Sequence, residues 1–233
     1  MPLLLGNILK TVRKAVGWTQ EELTDKLGIV RKTYSSDERT ARPDRIHGSL
    51  EFYEKYKEVL GIDLYQSVNK QQIIIIDPLK LPWSKIVKLK ELGAVIKMTP
   101  VFNTNLASGS ISCYPDEIYT RPAFFLPAGV YPGGKFGILV GGNSLEPKIC
   151  AGDHVICGAR LPTENIVNGH IYFICTNEEN TIAIVYADQK QQQLLLTYVN
   201  SNWPTKLITM DKVQCLYKVI GLLRKEEEIN QTG

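Results

Sequence analysis

Residues 142–155 read GNSLEPKICAGDHV, and this stretch near the middle of the chain decides the fold. It places Ser144 in a polar turn and Gly152-Asp153 at the start of an apolar run. Gly, Asn and Pro favour turns, whereas apolar runs such as those at 136–140 and 154–157 are typical of strands. The stretch therefore predicts a loop between two strands that presents the Ser144 hydroxyl.

Short apolar runs separated by Gly, Pro, Asn and Asp continue through residues 95–224. Several short strands with turn signals between them are typical of a mostly-β domain, either a barrel or a folded sheet. The runs that predict strands lie at 136–140, 154–157, 170–175, 181–186, 194–199 and 213–223. The charged residues 225–233 are predicted to form a flexible tail.

Residues 1–65 show helical periodicity instead. Apolar residues at three-to-four spacing predict helices at 4–16 and 49–60. Between them, Thr19-Gln20-Glu21-Glu22 forms a capping box that predicts the start of a helix ending at Gly28. A further helix is predicted at 31–39, so the first domain is expected to be all α.

Residues 66–94 are predicted to be a linker that contains a short helix, with Ser84 as the N-cap of that helix. The helix and its flanks are basic. They contain a single acidic residue, Glu91, and five lysines, namely Lys80, Lys85, Lys88, Lys90 and Lys97. A solvated helix face explains this charge, and so does a contact with the DNA backbone or with the other domain. The fold class is therefore α+β, with an all-α domain at 1–65 and a mostly-β domain at 95–224.

The composition is that of a globular protein, with 44% apolar and 22% charged residues among 233. No apolar run is long enough to span a membrane, and we expect a cytoplasmic protein. The five cysteines contain no C-x-x-C pair, which favours reduced thiols, and the three histidines are scattered. We therefore predict no metal site and no cofactor. The net charge of +3 is too small to indicate a nucleic-acid partner by itself.

The first predicted helices and the turns between them carry a set of residues in fixed spacing. These residues are Leu9, Arg13, Gly17, 19–23, 27–29, 34–36, Glu38, Arg39 and Pro43. Through this set the N-terminal domain resembles the Cro and XRE-type helix-turn-helix family of phage repressors. In such a fold the second helix of the pair enters the major groove of double-stranded DNA, and its N-terminal residues contact base edges. Any one of these motifs taken alone is equally well explained by a well-capped helix and a solvated Arg31-Lys32 face.

The resemblance implies DNA contacts for six residues. It places Gln20 beside a phosphate. The residues placed opposite DNA bases are Arg31, Lys32 and Ser36, and those placed opposite the DNA backbone are Thr33 and Arg39. Arg and Lys suit the acceptors on guanine. The sequence departs from the family pattern at Asp37, where an apolar residue is usual, and at Val30, where Ser or Thr is usual. The missing side-chain cap at Val30 costs about 1 kcal/mol.

The second domain resembles the LexA-like self-cleaving repressors. The residues that carry this resemblance are 100–103, 142–147, 152–155, 168–172, 199–203 and 217–221. The resemblance implies that Ser144 is the position of a nucleophile that attacks the repressor's own backbone. It also implies a lysine base on a later strand, whose pKa is lowered by burial in an apolar site. Ser108-Gly109 is the counterpart of the scissile bond.

The lysine required by the resemblance is missing. Alignment of the strand at 181–188 puts Ala183 in the lysine position, and a shift of two residues puts Val185 there instead. Neither side chain accepts a proton. The remaining candidates for a base are Lys190, in a polar turn, and His154, beside the serine motif. We therefore expect a domain that has kept its fold and its role in dimerisation but not its proteolysis.

The sequence as a whole predicts a sequence-specific, DNA-binding transcriptional repressor that acts as a homodimer on an operator in the nucleoid. A dimer is expected because two half-sites give the specificity that one helix in one groove lacks. One alternative is an active self-cleaving repressor that uses Ser144 with an unrecognised base. Another is a repressor released by an antirepressor or inducer protein, or by a ligand, bound at the vestigial cleft.

Overall fold

The computed structural model describes residues 5–39, 50–105, 121–127 and 129–224. They form two compact units, which divide between Met98 and Thr99. No helix in these ranges is long and apolar enough to cross a membrane.

The first unit contains six α-helices and one short 3-10 helix, Pro78–Lys80, among its described residues. The α-helices are α1 Leu5–Val16, α2 Gln20–Leu27, α3 Arg31–Arg39, α4 Leu50–Leu60, α5 Leu64–Asn69 and α6 Trp83–Glu91. The capping box at α2 is formed, since Glu22 N donates to Thr19 Oγ1 and Thr19 N donates to the Glu22 carboxylate. Gly28 ends α2 in the left-handed region at φ 61°, where a side chain would be strained. The helices predicted in this part of the sequence are therefore present, and their described ends agree with the prediction to within a residue.

Residues 66–94 differ from the predicted linker, because they belong to the first unit. Ile73, Ile75, Ile86 and Leu89 are buried together with α1 residues in one helical core. Strand β1, Ile74–Ile75, pairs in parallel with β2, Val95–Ile96. The short helix is present as α6, but Pro82 precedes it and no side chain caps it, so Ser84 is not the N-cap.

The second unit is built on one nine-stranded sheet among the described residues. Its strands are β3 Met98–Asn105, β4 Phe124–Pro127, β5 Phe136–Leu139, β6 His154–Arg160, β7 His170–Thr176, β8 Asn180–Asp188, β9 Gln193–Thr197, β10 Lys206–Thr209 and β11 Val213–Leu223. Their order across the sheet is β10-β9-β8-β7-β11-β6-β5-β3-β4, with β3 and β5 parallel. The mostly-β architecture is as predicted, although β3, β4 and β10 were not among the predicted strands.

Two apolar cores form from alternate residues of the same strands, because neighbouring side chains on a strand point to opposite faces. The first sheet core contains Phe136, Phe173 and Tyr217 together with Leu145, Ile149 and Ile182. The second sheet core contains Tyr172, Ile174, Ala183, Val185, Leu194, Leu196 and Leu216. The loop that carries Ser144 is anchored in the first sheet core through Leu145 and Ile149.

Candidate functional site

The Ser144 loop, residues 141–152, connects β5 to β6 and is closed at its base by backbone hydrogen bonds. Val140 N donates to Asp153 O at 2.7 Å, and Gly152 N donates to Val140 O at 2.8 Å. Leu145 and Ile149, one turn apart, are both buried, which pins the loop to the sheet. The predicted loop between two strands is therefore present, with Ser144 half-buried on it.

A second loop, residues 198–203, holds the Ser144 loop from the other side. Val199 N and Asn200 N both donate to Ser144 O, at 3.2 and 3.0 Å. The Asn200 side chain donates to Asn143 O at 3.1 Å, and Trp203 Nε1 donates to Asn143 Oδ1 at 2.9 Å. Ser144 is thus fixed through its backbone carbonyl, and within the described ranges its hydroxyl has no hydrogen-bond partner.

No lysine of the described part of the second unit is hydrogen-bonded to Ser144. Lys206 and Lys212 are ion-paired with Glu179 and Glu178. The hydrogen bond that Lys206 donates to Glu179 raises the pKa of Lys206, which keeps this side chain an ammonium ion. A general base has to reach the serine hydroxyl directly or through one water, and an ammonium ion has no lone pair to accept the proton.

Ala183 and Val185, the two positions considered for the missing lysine, are both fully buried in the second sheet core. Leu145, next to Ser144, lies in the first sheet core. Among the described hydrogen bonds, none joins Ser144 to Ala183 or to Val185. Surroundings this apolar would lower the pKa of a lysine, as a Ser-Lys mechanism requires. The chain has methyl groups there instead, so neither position supplies a base.

Neither Lys190 nor His154 is hydrogen-bonded to Ser144 among the described residues. Lys190 is exposed in the turn between β8 and β9, and its backbone N donates to Asp188. His154 Nε2 lies 3.0 Å from Asn103 Oδ1, and its ring makes an edge contact with Phe124. Burial lowers the pKa of His154, which favours the neutral ring.

Asp153 closes the far end of the Ser144 loop with an ion pair between its buried carboxylate and the half-exposed Arg224, which sequence reasoning did not identify. Its carboxylate accepts from Arg224 at 2.7 and 2.9 Å and from Cys150 N at 2.7 Å. The Arg224 hydrogen bonds hold the pKa of Asp153 below its usual value, despite the opposing effect of burial. Arg224 lies 71 residues further along the chain, so no local sequence signal pairs it with Asp153.

Helices α1, α2 and α3 of the first unit are joined by a buried carboxylate on α3, Glu38. Arg13 of α1 donates to Glu38 Oε1 from both Nε and Nη2, at 2.9 and 2.8 Å. The Gln20 amide at the start of α2 donates to the other oxygen, Oε2. Gln20, predicted to lie beside a phosphate, therefore uses one of the two N–H donors of its amide inside the protein.

The α3 residues predicted to contact DNA are mostly on the surface. Arg31, Lys32 and Ser36 are exposed, and Arg31 makes only a long contact of 3.5 Å with Glu21. Arg39 is exposed and folds back on Ser35, donating to its carbonyl and hydroxyl oxygens. Thr33 belongs to α3, but its side chain lies outside what the structure describes. Arg31 and Lys32 thus present two cations at the N-terminal end of α3.

The predicted cleavage-site counterpart, Ser108-Gly109, lies outside the described residues. Within them, no cluster of three or more His, Cys, Asp or Glu side chains is arranged to hold a metal ion.

Comparison with known families bears on the second unit. A family model described as Peptidase S24-like matches residues 100–220, just over half of the chain. The matched segment contains the Ser144 loop, the 198–203 loop and β8. No curated protein is similar enough to the chain to count as a match.

Proposed function

Because the chain belongs to the Peptidase S24-like family, which includes LexA and phage repressors, we propose that it is a DNA-binding transcriptional repressor. In this proposal α2 and α3 are the helix-turn-helix, and the second unit dimerises the protein without cleaving it. The alternative is a repressor that still cleaves itself through Ser144.

The exposed cationic end of α3 is the observation that carries the proposal. Arg31 and Lys32 open a helix that follows α2 after only three residues, Gly28 to Val30. Such a pair presents the N-terminal residues of its second helix to the major groove. Of the chain's Lys and Arg, seventeen lie in residues 1–98 against twelve Asp and Glu, a net +5. Residues 99–233 carry ten against twelve, so the excess of positive charge lies in the unit with the helix pair.

Loss of self-cleavage is supported by the surroundings of Ser144. No amine or imidazole of the described residues is hydrogen-bonded to Ser144, and Ala183 stands where the family resemblance places the lysine. A serine hydroxyl without a base is a poor nucleophile. A dimer is proposed because paired half-sites, about one helical turn apart, multiply the specificity of a single helix.

DNA binding is tested by selecting a preferred duplex from a random pool and measuring its affinity for the full-length protein by filter binding. We expect the selected duplex to bind on the order of 10³-fold or more tighter than a scrambled one. In Arg31→Ala we expect the discrimination at one base pair to fall by about 1 to 3 kcal/mol. The matched control is Lys57→Ala on α4, since Lys57 is exposed and makes only a 3.8 Å contact with Glu54. Equal discrimination by wild type and Arg31→Ala contradicts the assignment of Arg31 to a base.

Loss of cleavage is tested by incubating the purified protein at alkaline pH, which favours the neutral form of any lysine base. We expect the full-length band to persist on a denaturing gel, in the wild type and in Ser144→Ala alike. Two fragments that form in the wild type and vanish in Ser144→Ala would establish the self-cleaving alternative.

A further inference from the structure

Helix α6 is an integral part of the first unit rather than a segment beside it. It packs against α1, and its Ile86 and Leu89 are fully buried in the helical core. Lys85 and Lys88 flank these buried positions, three residues apart on adjacent turns of α6. Burial of Ile86 and Leu89 therefore fixes the direction in which the two lysines leave the helix.

Lys85 reaches the corner between α1 and α2. Its Nζ lies 3.2 Å from the place that a Cβ atom on Gly17 would occupy. Gly17 ends α1 with φ +76°, and α2 begins three residues later at Gln20. The ammonium group of α6 thus lies close to the N-terminus of the helix pair.

This corner adjoins α2, whose first turn contacts both ends of α3. Glu21, in the first turn of α2, contacts Arg31, the first residue of α3, at 3.5 Å. Gln20 is tied to α3 through Glu38. A continuous path therefore leads from Lys85, past Gly17 and the first turn of α2, to Arg31.

We propose that Lys85 and Lys88 bind phosphates of the DNA strand that borders the groove entered by α3. This inference rests on the proposed function and extends the DNA interface to a helix outside the helix-turn-helix. Among the described residues neither lysine forms an ion pair; Lys88 is exposed, and Lys85 is half-buried with its Nζ beside Gly17. Phosphate contacts from lysine fix the position of a protein on DNA without reading its sequence.

A purely structural role for Lys85 makes a different prediction. A cation beside the C-terminal end of α1 also stabilises that helix through its dipole. Removing the charge then lowers the stability of the first unit but leaves the number of DNA phosphates that the protein contacts unchanged. The salt dependence of binding separates the two roles, because it counts the counterions that each phosphate contact releases.

The experiment compares full-length wild type with Lys85→Met/Lys88→Met, on the selected duplex and on a scrambled duplex, across a series of KCl concentrations. Methionine keeps the length of the aliphatic chain and removes the charge. We expect the slope of log affinity against log salt to fall by about 0.9 for each lost contact, roughly 1.8 for the pair. The same fall is expected on both duplexes, so the ratio of the two affinities stays constant.

The matched control is Lys135→Met/Lys190→Met, which removes two exposed lysines of the second unit and should leave the slope unchanged. Lys85→Arg/Lys88→Arg should restore the wild-type slope. If the double methionine variant does not fold by circular dichroism, Lys88→Met alone tests the proposal, since Lys88 is exposed and is expected to remove about 0.9 from the slope.

An unchanged slope in a folded methionine variant overturns the inference and leaves the proposed function standing. A wild type that binds neither duplex overturns the proposed function itself. A fall in slope on the selected duplex alone contradicts phosphate binding, because a phosphate contact is independent of sequence.

Discussion

Asp153 illustrates how single residues hold the Ser144 loop in place. Its carboxylate is 3% exposed and accepts three hydrogen bonds, two of them from Arg224. The pKa of Asp153 is lowered in the folded chain, so the ionised form binds its partners more strongly than the protonated form does. The stability that this provides is fully present above the unfolded pKa, near 4. It is lost as the pH falls through the lower pKa of the folded state.

We predict that Asp153→Asn is less stable than wild type at neutral pH, and that the difference shrinks below about pH 4. The amide cannot bind Arg224 as an anion, so the variant loses the part of its stability that depends on this carboxylate. Thermal unfolding followed by circular dichroism between pH 3 and 7 measures the difference. The control is Asp211→Asn, because Asp211 is exposed. A constant difference between wild type and Asp153→Asn across that range contradicts the role given to the ionised carboxylate.

The local sequence indicates the exposure of a residue better than it indicates the partners of that residue within the protein. Arg31 and Lys32 were expected on the surface because they open a polar helix, and they are there. Gln20 was expected to bind a phosphate, yet its amide is bound by Glu38, 18 residues further along. Partners at such separations are chosen by the packing of whole helices, and the local pattern around Gln20 contains no trace of that packing.

At the scale of elements, α2 and α3 begin in different ways. Thr19 caps α2 with its hydroxyl, whereas the residue before α3 is Val30, which is 70% exposed. Valine offers neither a hydrogen bond to the first turn nor, at this exposure, much buried apolar surface. The N-terminus of α3 is therefore less stable than that of α2.

We predict that Val30→Thr raises the free energy of unfolding by about 1 kcal/mol, because the threonine hydroxyl accepts from a backbone N–H of the first turn. Thr19→Val should lower the free energy of unfolding by a similar amount, since it removes the cap from α2. Urea unfolding followed by helical circular dichroism measures both changes. Val30→Ala is the reference, because it shortens the side chain without adding a cap; a Val30→Thr variant no more stable than Val30→Ala contradicts the prediction.

Elements with a strong local period could be read from the sequence, and elements defined by distant partners could not. The bounds of α1 to α4 follow from apolar spacing and from Gly17, Gly28 and Gly61. Strand β1 consists of two residues, and its partner β2 lies about twenty residues away, so neither has a pattern of its own. The apolar run Ile73-Ile74-Ile75-Ile76 does not show by itself the core into which it packs.

At the scale of the whole molecule, the boundary between the two units is set by burial rather than by composition. The polar stretch after residue 65 suggested a linker, but Ile73, Ile75, Ile86 and Leu89 complete the helical core. A chain cut at residue 65 leaves the apolar faces of α1 and α4 partly uncovered. Such a fragment lacks the buried area that a small domain needs.

We predict that residues 1–98 fold when produced alone and that residues 1–65 do not. The longer fragment should unfold cooperatively in urea, because it contains every described member of the helical core. The shorter one should show weak helical circular dichroism without a cooperative transition. A cooperative transition in residues 1–65 contradicts the boundary drawn here between Met98 and Thr99.

The hydrogen bond from Trp203 to Asn143 makes tryptophan fluorescence a reporter of the Ser144 loop. The chain has three tryptophans, and Trp18 and Trp83 both belong to the first unit. Trp203 is 46% exposed, and its indole N–H is bonded to the residue just before Ser144. In a Trp18→Phe/Trp83→Phe background, all indole emission comes from Trp203 in the 198–203 loop, against the Ser144 loop. A molecule that covers the loop shifts that emission to shorter wavelength, so any inducer of the protein can be sought by fluorescence titration without a label.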